Sequence, residues 1–176
     1  MIDGTKIRAD LDRLAKESDI LIVAMHWGEE NNPEPTEEQK GLAQLLADLG
    51  VDVVIGTHPH LVQTPIFLKG ANGNTTLVYY SLGNFISSQT EPCQMLGAMA
   101  RFEIAYEATS GSVRFVSAEA LPLVTHISSD YRSFAVYPLS DYDEGLAKDH
   151  ALAPTGLSIE TLWAHENEAL GDRKLN

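Results

Sequence analysis

Ile7, Leu11 and Leu14 recur at helical spacing, and the pattern predicts an amphipathic helix over residues 6–16. Residues 19–25 (Asp-Ile-Leu-Ile-Val-Ala-Met) follow as an almost continuous apolar run of strand length, expected to be buried on both faces. Leu42, Leu45, Leu46 and Leu49 repeat the helical stripe, with Thr36 placed to cap that helix and Gly50 to end it. Residues 51–56 (Val-Asp-Val-Val-Ile-Gly) read as a second buried strand. Helix, strand, helix, strand is one crossover unit of a parallel sheet.

After His60 the pattern turns antiparallel. Residues 64–69 and 75–82 flank Asn72-Gly73, a two-residue hairpin signal because both residues tolerate positive φ. Ala98, Ala100, Phe102, Ile104 and Tyr106 alternate with more polar neighbours, as a half-buried strand requires. A turn at Ser110-Gly111 leads to a further strand over 113–120. From Ser128 onward Tyr and Asp residues sit in expected loops, and a final helix is expected over 158–170. The reading is a single α/β domain in three stretches: a parallel helix-strand unit over 1–62, antiparallel strands over 63–125, and a loop and helical tail over 126–176. The first helix expects a strand on its other side, and none precedes it, so a missing N-terminal half is expected.

The chain has 176 residues, one domain's worth, and can bury a core without disulfides or metal. Its 12 basic and 25 acidic residues leave a net charge of −13, which repels phosphate backbones and argues against nucleic-acid binding. An anionic substrate meets the same field and needs a local cation. Cys93 is the single cysteine, so no intramolecular disulfide forms. No apolar run reaches the ~20 residues of a membrane span, and residues 1–16 lack a signal-peptide core.

The chemistry-bearing residues follow the buried strands. Gly56-Thr-His-Pro-His60 comes directly after the second, where open parallel sheets place their ligands. A turn fixed by Pro59 can converge His58 and His60 on one or two metals, and neutral imidazole suits Zn, Mn, Fe or Ni. A surface turn with two histidines is the plainer alternative. His26, in Met25-His-Trp-Gly-Glu-Glu30, follows the first strand and emerges at the same sheet edge. Glu30 is a candidate to orient a histidine or to act as acid or base, against the plainer reading of a solvated acidic loop. Asn84, in Tyr80-Ser-Leu-Gly-Asn-Phe85, is a candidate ligand-binding residue or a turn residue. Ser81 has no base and orienting group to make it a nucleophile. His126, His150 and His165 read as structural or solvated, and Trp27 and Trp163 as packing anchors. A (β/α)₈ amidohydrolase, which also carries His-x-His after a strand, needs ~250 residues.

These strings, with Pro35, Gln39 and Ala43 between them, resemble the bacterial CapA family, the poly-gamma-glutamate capsule biosynthesis proteins of the calcineurin-like metallophosphoesterase superfamily. The resemblance is detailed over 19–85. It implies a four-layer α/β/β/α sandwich, of which this chain is the C-terminal part. It implies His26, His58 and His60 as metal ligands, with Mn, Fe or Zn in a dinuclear centre that activates water against a phosphoester. The superfamily's Gly-Asp and Asn-Asn-His-like motifs, with the bridging aspartate, are expected upstream of His26 and are not found there. The three histidines are then expected to hold one metal, the second requiring the missing half. The implied function is capsule biosynthesis or export at the cell surface, with an incomplete metal-dependent hydrolase site; the alternative is a non-catalytic surface module that binds polymer or a partner. Expected partners are the missing half or a second copy, and capsule polymer or its synthesis complex.

Overall fold

The computed structural model describes residues 4–171 and Leu175. Helix α1 (Gly4–Leu14) lays Ile7, Leu11 and Leu14 on the core, as their spacing predicts. Strand β1 (Ile22–His26) follows, then α2 (Glu37–Asp48) and β2 (Val53–Thr57). The start of α2 is set by a reciprocal cap: Thr36 Oγ accepts from Gln39 N–H, and the Gln39 side chain accepts from Thr36 N–H. Ala43, Leu46 and Ala47 are then fully buried on the sheet, each leucine of this kind contributing about 1.5–3 kcal/mol.

β1 pairs parallel with β2, Ile22 opposite Val53 and His26 opposite Thr57. The next two strands, β3 (Val62–Gln63) and β4 (Ile66–Lys69), are followed by β5 (Thr75–Tyr79) and β6 (Ser81–Leu82). β5 pairs antiparallel with β4, as expected, but also parallel with β2, so the order in the first sheet is β1-β2-β5-β4. The parallel pairing of β5 with β2 is the departure from the antiparallel pattern expected after His60, because strand direction toward a distant neighbour leaves no local signal. The β4–β5 loop runs over 70–74 with only Gly73 at positive φ, so it is longer than the two-residue turn expected from Asn72-Gly73.

The second sheet is a long hairpin of β7 (Leu96–Glu107) and β8 (Ser112–Ile127), with β9 (Phe134–Pro138) on the other side of β8. β8 runs seven residues past Ala120, through Pro122, and β9 lies where loops were expected. Helices α3 (Glu144–Asp149) and α4 (Ile159–Ala169) complete the tail, α4 lying within the 158–170 expected and capped by Ser158. Ala98, Ala100 and Phe102 alternate along one face of β7; Ala100 and Phe102 meet the first sheet, and Ala98 joins the tail-helix cluster. One face of the hairpin thus covers both halves of the molecule. The class is mixed α/β: helices on a four-stranded sheet, which packs in turn on a second, antiparallel sheet.

Strand β1 departs from the expectation of burial on both faces. Its Met25 and Val23 face α1 and α2, but Ile22 is 55% exposed, and Ala24 and His26 are exposed too. Ile22 continues a row whose members Val53 and Leu77 are completely buried under the second sheet. The row outruns its cover because β1 is the edge strand among the described residues.

Candidate functional site

The parallel strands β1 and β2 end side by side, and their carboxyl ends carry the candidate residues. Trp27 crosses this edge: its indole Nε1–H donates to the carbonyl of Tyr80 at 2.8 Å. The bridge passes directly over Gly56, where a Cβ would collide with Tyr80 O and lie 2.5 Å from Trp27 Nε1. The glycine of Gly56-Thr-His-Pro-His60 is thus a packing requirement, and Trp27 is a buried anchor as expected.

Beyond Gly56 the chain makes a tight turn. His58 and His60 adopt φ of 107° and 62°, conformations that side-chain-bearing residues rarely take and that concentrate at functional sites. The turn is held by the neighbouring loop, whose Asn31 N–H donates to Pro59 O at 2.8 Å. The imidazoles of His26 and His58 lie with ring centroids 4.5 Å apart, and those of His58 and His60 6.2 Å apart. His26 is exposed and its Nδ1 is 3.4 Å from Thr57 Oγ1.

Asn84 reaches the site from the Gly83-Asn84 turn after β6. Its backbone lies against Gly97 of β7, which has no Cβ to obstruct the Asn84 carbonyl. Its Oδ1 is 2.9 Å from His60 Nδ1. Its Nδ2 donates to Gln94 O at 3.1 Å and His60 O at 3.4 Å. Glu30 is exposed, with no hydrogen bond to the histidines among the described residues. Ser81 is buried and its Oγ accepts from Gly83 N–H, a turn role and not a nucleophile's.

Among the described residues no group of three or more His, Cys, Asp or Glu is arranged to hold a metal ion. The donor chemistry fits a divalent cation in part: His26 adjoins His58 and His58 adjoins His60, and no carboxylate completes a metal-holding group with them among the described residues. Polar groups around them were not legible in sequence. Gln94, in a 3₁₀ turn over Pro92–Met95, is 5% exposed and donates through Nε2 to Asn31 Oδ1 at 2.6 Å. Their 63-residue separation leaves no spacing signal.

Two of the tail histidines, His126 and His150, have structural roles. His150, 1% exposed, uses both ring nitrogens: Nε2 to Thr125 O at 3.0 Å, and Nδ1 accepting from Leu152 N–H at 2.9 Å. His126 Nδ1 is 2.8 Å from the Tyr142 hydroxyl. Burial pushes both imidazoles below the usual histidine pKa, opposed at His126 by the Asp149 carboxylate.

Comparison with known proteins places the same strings in context. The family described as bacterial capsule synthesis protein, PGA_cap, matches residues 2–89, half of the chain. The PGA biosynthesis protein CapA of Bacillus subtilis (strain 168) is 40% identical over 74 residues, 42% of this chain and 18% of its own length. The capsule biosynthesis protein CapA of Bacillus anthracis is 37% identical over 73 residues, 41% of this chain and 16% of its own. The chain thus matches under a fifth of the length of these relatives.

Proposed function

The chain belongs to the bacterial capsule synthesis protein family PGA_cap, and from that premise we propose that it is part of a poly-gamma-glutamate capsule biosynthesis protein whose working site is the His26, His58 and His60 edge. The observation that carries the reading is the pairing of His26 with His58 at 4.5 Å, on two strand ends that the fold holds in parallel register. In this reading the imidazoles supply nitrogen ligands to Mn, Fe or Zn, and carboxylate donors come from a segment outside the described residues or from a second copy that adds to the β1 edge. The cation would supply Lewis acidity for a phosphoesterase-like hydrolysis. Asn84 orients His60. A net charge of −13 makes such a cation the natural bridge to an anionic polymer. The whole protein would work outside the cytoplasm, at the cell surface. Among the described residues, no helix is long and apolar enough to cross a membrane.

A second reading is a non-catalytic polymer- or partner-binding surface module, favoured by the lack of a three-donor group among the described residues. The two separate in the full-length protein. Metal-dependent turnover of a generic phosphodiester, abolished by His58→Ala, supports the hydrolase. Capsule assembly that needs His58 without turnover on a phosphoester panel supports the module. Normal assembly and turnover with His58→Ala would refute the site.

A further inference from the structure

Amide side chains have two chemically different ends, and the partners around Asn84 fix which end faces His60. Two carbonyl oxygens, Gln94 O and His60 O, lie against Asn84 Nδ2 at 3.1 and 3.4 Å, so that end must donate. Its other end, Oδ1, is an acceptor 2.9 Å from His60 Nδ1. His60 Nδ1 therefore carries the proton, and in the neutral ring Nε2 keeps its lone pair.

Gln94 stands behind this arrangement. Its Oε1 accepts from Glu91 N–H at 3.2 Å, which leaves Nε2 to donate to Asn31 Oδ1 at 2.6 Å. Asn31 in turn donates its backbone N–H to Pro59 O at 2.8 Å. The Gln94 backbone carbonyl meanwhile receives the Asn84 amide. One buried residue thus grips the turn twice: its side chain through Asn31 on Pro59, its carbonyl through Asn84 on His60.

We propose that Gln94 is a positioning residue of this site, holding the His58-Pro59-His60 turn and fixing His60 as the Nδ1–H tautomer with Nε2 free for a ligand. The inference deepens the histidine-site reading and rests on it for the ligand, but the tautomer does not depend on any metal. Gln94 lies outside the family match over 2–89. A metal-ligating histidine commonly has its other nitrogen held in this way, and losing the holder typically costs about 10–100-fold in metal affinity.

The test is ¹⁵N–¹H imidazole NMR on the metal-free chain, followed by Zn titration. The expected wild-type spectrum shows His60 protonated at Nδ1. Asn84→Leu is expected to move it toward Nε2–H; Gln94→Glu, which keeps the backbone carbonyl for Asn84 and the acceptor for Glu91 N–H but removes the donor to Asn31, is expected to shift the His58 and His60 signals by loosening the turn. The His126 and His150 signals report that each variant is folded. An Nε2–H ring in folded wild type, or His58 and His60 signals unmoved in folded Gln94→Glu and Gln94→Ala, overturns the proposal. Zn affinity reduced about 10–100-fold in Asn84→Leu, and in the same direction in Gln94→Glu, supports it further. The expected tautomers with no Zn binding in wild type would leave Gln94's role standing and refute the metal reading.

Discussion

The indole of Trp27 donates to the carbonyl of Tyr80 across the face of Gly56, tying the ends of β1 and β5 together over the strand between them. Three sequence strings that read as candidate chemistry are thereby one packed unit. The tie brings His26, which precedes Trp27, beside His58, which follows Gly56 by two residues.

Gly56→Ala is expected to destabilise the chain by about 1–3 kcal/mol, since the methyl must push either the Tyr80 carbonyl or the indole aside. Urea denaturation followed by Trp fluorescence measures it. An unchanged midpoint contradicts the close approach.

Trp27→Phe keeps an aromatic ring but leaves the buried Tyr80 carbonyl without its donor. The expected cost is about 1–3 kcal/mol, and the His26–His58 contact should loosen with it. Urea denaturation followed by circular dichroism gives the first quantity and imidazole NMR the second; loss of neither would make the indole hydrogen bond incidental.

Acid should unfold the tail first. His126 and His150 have pKa values lowered by burial, so the folded state binds fewer protons than the unfolded one as pH drops below about 6.5. Their contribution is present above the unfolded histidine pKa and is lost as pH falls through the lowered folded values. Protonated His150 also loses the Nδ1 acceptor for Leu152 N–H. Urea midpoints should fall between pH 7.5 and 5, with a shallower fall in His150→Asn. An equal slope in the two proteins contradicts this.

Edge strand β1 should recruit a neighbour. Ile22 is 55% exposed in a row otherwise covered by the second sheet, and an exposed apolar edge invites strand addition. Size exclusion with light scattering is expected to show self-association of this chain, reduced by Ile22→Lys. A clean monomer of the unsubstituted chain contradicts it.

The sequence carried the local decisions well. Apolar runs placed β1 and β2, Thr36 and Ser158 marked helix starts, and the strand-end histidines fell at one edge because parallel strands present the same end together. Non-local decisions were less legible. β9 is short and carries Tyr137 and Pro138 beside exposed Phe134, so it has no clean alternation. Pro122 interrupts the signal of β8, yet the strand passes through it in register with Ala98. The parallel pairing of β5 with β2 and the grip of Gln94 on Asn31 join residues far apart in sequence, which no periodicity encodes. The exposure of Ile22 reflects what covers the strand and not what the strand is made of.

Divalent-cation binding at the His26, His58 and His60 edge underlies both the hydrolase reading and the ligand-positioning role of Gln94. Titration of the chain with Mn²⁺ under imidazole NMR tests it most directly, because the ion broadens the signals of nuclei close to it. Selective loss of the His26, His58 and His60 signals is expected at low Mn²⁺, with His126 and His150 retained, and no selective loss at His26 in His58→Ala. Uniform broadening, or loss at the tail histidines first, would contradict it.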